Sequence, residues 1–113
     1  TEANVSLVRD RERAIAQAAG SEAIADALFS DFMDALPNAM QDIRDAHDSA
    51  DAEQLWQSAH RLQGAAATCS LPALNEALSG LAQAARVGGA EQITGKMADL
   101  DREVRRLRTL AGQ

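Results

Sequence analysis

The sequence predicts an all-α domain: an antiparallel up-and-down four-helix bundle with an additional short helix at its N-terminus. Three observations carry this. Apolar residues recur at three- and four-residue spacing along most of the chain, aromatic residues make up only 3% with no tyrosine, and the breaks between periodic segments are short. Abundant alanine favours helix, whereas scarce aromatic and β-branched residues disfavour sheet. Short connections make successive helices antiparallel neighbours. A chain of 113 residues suits one domain with a modest core and is too short for two, so residues 1–113 read as a single domain. The segment starts at Thr1 rather than methionine, which fits either processing or a domain cut from a longer chain. The excised domain is the favoured reading.

The first helix is expected over Val5–Ala19, with Leu7, Val8, Ile15 and Ala18 as a thin apolar face and Gly20 as its stop. Ser21 then reads as an N-cap followed by acidic Glu22. From there Ile24, Leu28, Phe29, Phe32, Leu36, Met40 and Ile43 continue at helical spacing in a long second helix. Pro37 lies inside it and removes a backbone donor, so either a kink or two abutting segments is expected, with the kink preferred. Asp48, Ser49 and Asp51 form a polar break, and Asp51 with Gln54 resembles a capping pair that opens a third helix running to Cys69. Ser70, Leu71 and Pro72 mark the next turn, with proline at a favoured early helical position. Leu74, Leu78, Leu81 and Ala85 share one face of the fourth helix, which ends at Gly88–Gly89. Ile93, Met97, Leu100, Val104, Leu107 and Ala111 step by four, three, four, three and four, an amphipathic stripe for the last helix.

The third helix carries the chemistry. With each residue set roughly 100° further round, Leu55, Ala59, Leu62, Ala66 and Cys69 gather within an arc of about 80° as a core-facing stripe. His60 lies well outside it. Its lateral neighbours are Trp56, Gln63, Gly64 and Ala67, and glycine one turn away removes its own side chain from the surface beside the ring. Trp56, Gly64 and Ala67 therefore border a shallow surface suited to docking a flat partner. An exposed neutral imidazole nitrogen is a competent nucleophile towards phosphorus. Phosphoryl transfer asks mainly for positioning and charge stabilisation, and a partner protein carrying Mg²⁺ could supply the charge. Gln63 or Arg61 could donate hydrogen bonds to a phosphoryl oxygen; Gln63 is nearer on the wheel, and Arg61 must bend back.

Composition narrows the partners. A formal charge of −6 argues against nucleic acid or an anionic membrane surface, leaving protein partners. Cys69 is the only cysteine, so neither an intramolecular disulfide nor a cysteine-rich metal site is available, and a reducing cytoplasm fits. No apolar run approaches the roughly 18 residues of a membrane span, and no signal-peptide pattern precedes the first helix. There is no P-loop G-x-x-x-x-G-K-[ST], so autophosphorylation from ATP is not expected.

The stretch A-H-R-L-Q-G-A-A from Ala59 to Ala66 resembles the signature of histidine-containing phosphotransfer (HPt) domains, H-x-L-K-G-[SA]-[SA]. The F-x-x-x-L-P of Phe32–Pro37, the helix start at Asp51–Leu55 and the leucine-rich Leu71–Arg86 segment are also similar to that family, so the resemblance covers most of the chain from Ser21 onward. It is strongest to the HPt domains at the C-terminus of hybrid sensor histidine kinases. The resemblance implies that His60 is the phosphoacceptor, taking a phosphoryl group from a receiver-domain aspartate and passing it to the aspartate of a response-regulator receiver. It implies a monomeric domain with no cofactor of its own, Mg²⁺ on the receiver, and a cytoplasmic location within a parent chain that an inner-membrane anchor would suit. Two positions depart from the family: Gln63 stands where lysine is usual, exchanging a cation for a neutral donor, and Ser70 stands where glycine is common. The phosphoacceptor domain of chemotaxis kinases is a poorer fit, because its histidine usually has further charged neighbours.

Plainer readings compete for the remaining residues. His47 suits a surface or C-capping role and has no metal-ligating companion at useful spacing. Trp56 also reads as partial core, and Cys69 as a small buried hydrophobe. Arg102, Arg105, Arg106 and Arg108 favour the macrodipole at a helix C-terminus. The Ile93–Ala111 stripe could instead zip to a second chain, which makes a helical dimerisation or adaptor module without phosphoryl chemistry the competing function.

Overall fold

The computed structural model describes residues 7–113, all of whose regular structure is helical. Five helices follow one another: α1 (Arg11–Gln17), α2 (Glu22–Asp48), α3 (Ala52–Thr68), α4 (Pro72–Val87) and α5 (Ala90–Leu110). The last four pack each on the next, α2 on α3, α3 on α4 and α4 on α5, and α1 lies against α2. Arg44 on α2 reaches Asp101 on α5 at 3.9 Å, joining the first and last long helices. The architecture is the four-helix bundle with a short preceding helix.

One core joins the four long helices, with Leu36, Met40, Ile43, Leu55, Leu71, Leu74, Leu78, Leu81, Leu100 and Leu107 sealed from solvent. The α5 stripe lies inside this core, since Met97, Leu100, Val104 and Leu107 are buried and Ile93 and Ala111 pack against it. That occupies the surface a zipper to a second chain would have used. A smaller cluster of Ala14, Ala18 and Ala25, with Ile15 beside it, seats α1 on α2.

The first helix is shorter than the sequence suggests. Val5 lies outside the described residues, and α1 starts only at Arg11, where the Asp10 carboxylate accepts from the Arg13 N–H at 3.1 Å. Leu7 and Val8 precede the helix: Leu7 is exposed, and Val8 packs on the main core. Their backbone is engaged elsewhere. The Ala73 N–H donates to the Leu7 carbonyl and the Asp10 N–H to the Ser70 carbonyl, each at 2.9 Å. Leu71 gives α4 no side-chain cap, so the Leu7 carbonyl satisfies a first-turn donor that would otherwise be orphaned.

Other helix ends follow the expected chemistry with local differences. Ser21 caps α2 by accepting from the Ile24 N–H at 3.1 Å. That helix runs unbroken through Pro37 rather than as two abutting segments. Asp51 caps α3 through the Gln54 N–H at 3.1 Å, but the capping pair is not reciprocal. The Asp51 N–H already donates to the Ala46 carbonyl at the end of α2, and the Gln54 amide turns to the Ser58 hydroxyl. Ser70 adopts the left-handed region with φ 55°, the conformation glycine would hold most easily, and its hydroxyl donates to the Gln17 side-chain carbonyl at 3.0 Å. Gly88 is different, because its φ of −94° needs no glycine. A Cβ there would stand 2.8 Å from the Ala84 carbonyl oxygen, so close approach accounts for that glycine.

Candidate functional site

The site is built on α3, whose inner face is fixed by burial. Leu55, Ala59, Leu62, Ala66 and Cys69 are all buried, as the wheel predicts, and Ser58 joins them with its hydroxyl held by Gln54. Because Ala59 and Ala66 are alanines with no exposed surface, α3 sits close to its neighbours and its orientation is firmly set. His60 is thereby turned outward, and its ring is exposed. Among the described residues neither imidazole nitrogen has a hydrogen-bond partner.

What holds the ring is Trp56. One helical turn before His60, the indole lies parallel to the imidazole, with 7° between planes and 5.0 Å between centroids, inside the range of favourable offset stacking. Trp56 is half-buried and packs on the core, which bears out its partial-core reading. The Arg86 guanidinium, from the last turn of α4, lies 3.9 Å from the indole centroid. A cation from another helix therefore reaches the neighbourhood of His60 through an aromatic side chain. Sequence reading passed over Arg86; the signal available was a lone arginine at the end of the leucine-rich helix, one α3–α4 hairpin away from Trp56.

The other nominated residues behave differently. Gln63 is half-buried, Arg61 is exposed, and neither makes a hydrogen bond or ion pair with another described residue. Among the described residues neither hydrogen-bonds to the imidazole. Gly64 and Ala67 are exposed together with Ala65 and Thr68, and a Cβ built on Gly64 would meet nothing within 4 Å. The Thr68 hydroxyl is turned inward to the Gly64 carbonyl at 3.1 Å. The surface beyond the ring is therefore low and nearly uncharged. The Cys69 thiol lies 3.5 Å from the Leu28 carbonyl, which sets α2 beside the end of α3. Burial pushes the Cys69 thiol above its ordinary pKa, partly opposed by Arg9 and reinforced by Asp31.

Residues outside the site keep structural roles. His47 stands in the last turn of α2, half-buried, 3.9 Å from the Asp48 carboxylate. On α5, Arg106 and Arg102 flank the buried Glu103, with Arg106 at 2.8 Å, and Arg102 also meets Asp99. Among the described residues no three His, Cys, Asp or Glu side chains gather as a metal site. None of the described helices is long and apolar enough to cross a membrane.

Fold and site together define a class: a helical bundle that presents one imidazole on the outside of a rigid helix, over small residues. The Hpt domain family model matches residues 27–110, from the second turn of α2 to the end of α5, and the chain belongs to that family. Membership brings histidine phosphotransfer within phosphorelays, with receiver domains as partners. Searches of curated proteins and of solved structures returned no match.

Proposed function

We propose that this chain is a phosphorelay intermediate in which His60 accepts a phosphoryl group from the receiver aspartate of a hybrid kinase and hands it to the receiver aspartate of a response regulator. The observation that carries the reading is the exposed imidazole, with neither nitrogen hydrogen-bonded to another described residue, on a helix that carries the HPt-like motif and lies within the family match. In the accepting step a ring-nitrogen lone pair forms the N–P bond while the acyl O–P bond breaks, its electron pair returning to the aspartate carboxylate. The proton on the other ring nitrogen stays in place, so the ring carries a positive charge against the phosphoryl group. The reverse step restores both partners. Mg²⁺ belongs to the receiver, where it would neutralise charge on the transferring group. Gln63 and Arg61, whose donors engage no other described residue, stand within the same helical turn and would donate to phosphoryl oxygens. Gly64 and Ala67 form the docking surface beside the ring that Trp56 stacks on, and the domain works as a cytoplasmic monomer within a longer kinase chain.

Incubation with phosphorylated receivers should place acid-labile, alkali-stable phosphate on His60, and His60→Gln should remove it. Unchanged labelling of that variant would sink the assignment. A panel of purified receivers, scored for transfer in both directions, identifies the partners.

A further inference from the structure

We propose that Trp56 is a positioning residue for His60, holding the imidazole plane in the orientation from which phosphoryl transfer occurs. This rests on the phosphoacceptor reading of His60. An exposed histidine with no hydrogen bond to its ring turns freely, because its second side-chain torsion has only shallow preferences. Here the ring has one neighbour that fixes its plane, the Trp56 indole, parallel within 7°. The indole is itself held by the core it packs on and by Arg86 of a different helix, whose guanidinium lies over the ring 3.9 Å from its centroid.

The geometry suits transfer. Nitrogen lone pairs of imidazole lie in the ring plane, whereas a stacked indole covers a ring face. A phosphorus atom therefore approaches along a line parallel to the indole, and the stack steers the ring without obstructing it. An aromatic pair of this kind shifts orientation populations by roughly two- to tenfold, which sets the size of effect expected for aligning a nucleophile. A docking role for Trp56 predicts something else, a change in how tightly the receiver is held.

Three variants separate the possibilities: Trp56→Ala removes the side chain, Trp56→Leu keeps apolar bulk without a π-face, and Trp56→Phe keeps the face. Single-turnover transfer from an aspartyl-phosphorylated receiver to the 113-residue chain is measured across receiver concentrations. Thermal melts confirm that each variant is folded. The expected result is a limiting rate lowered about three- to tenfold in Trp56→Ala and Trp56→Leu and largely rescued in Trp56→Phe, with the half-saturating receiver concentration little changed. Proton NMR supplies a second readout that needs no transfer. The His60 ring protons should show an upfield ring-current shift that is lost with Ala or Leu and retained with Phe. An undiminished limiting rate in Trp56→Ala and Trp56→Leu overturns the proposal, as does the absence of the ring-current shift in the unaltered chain. If the ring-current shift is present but no receiver labels His60, the phosphoacceptor reading fails, and the positioning role falls with it.

Discussion

Gly64→Ala separates what the bundle requires of this position from what a partner requires. The residue lies in the interior of α3, where replacing glycine by alanine is worth about 1 kcal/mol in favour of helix. The added methyl group meets nothing within 4 Å, so no packing penalty offsets that gain. The variant should be stabilised by about 0.5–1 kcal/mol. For a domain of this size that raises the melting temperature by roughly 2–4 °C. Circular dichroism melts and urea titrations measure it. Transfer should move the other way, because the methyl group projects from the surface beside His60 where a receiver backbone must approach. An overpacked contact costs about 1–3 kcal/mol, so the second-order transfer rate should fall about fivefold or more. Lower stability in Gly64→Ala would refute the open-space reading. Higher stability with undiminished transfer would remove Gly64 from the docking surface.

Gly88→Ala should act in the opposite sense on the fold, destabilising by about 1–3 kcal/mol because the new Cβ would press on the Ala84 carbonyl oxygen 2.8 Å away; a melt as high as that of the unaltered chain contradicts this. Gln63→Lys supplies a cation to the turn carrying His60 and should prolong the phosphohistidine lifetime or shift the equilibrium towards the domain, read from phosphate loss over time. Equal lifetime and equilibrium would reject that role. For Cys69, burial disfavours the thiolate in the folded state, so its contribution to stability is full below the ordinary thiol pKa of 9.0 and is lost as pH rises through the higher folded value. Urea titrations from pH 8 to 10.5 should show the unaltered chain losing stability relative to Cys69→Ala, by at most about 1.4 kcal/mol per pH unit; parallel profiles would refute the shift.

Periodicity made the bundle legible because burial there depends on which face a residue occupies, and the stripes of α2 to α5 are clean. Ser21 and Asp51 were readable as caps because they work through local bonds, to the N–H groups of Ile24 and Gln54. The start of α1 was not, since Leu7 and Val8 have helix-compatible spacing but their segment bonds to residues far along the chain, at Ser70 and Ala73. A one-dimensional pattern holds no record of such a contact. The same limit applies at the site. His60, Gly64 and the alanines share one helix and could be placed on a wheel, and Trp56 was correctly set beside His60. Arg86 comes from α4, and its position over the indole depends on how two helices cross.

Among the described residues no carboxylate or carbonyl accepts a hydrogen bond from either nitrogen of His60. A histidine that donates a hydrogen bond to such a group is locked into one tautomer, with its basic nitrogen chosen in advance. Nothing among the described residues makes that choice. Which nitrogen bears the lone pair is left to the incoming surface, so successive partners with differently placed phosphoryl groups can address the same ring without reorganising the bundle beneath it.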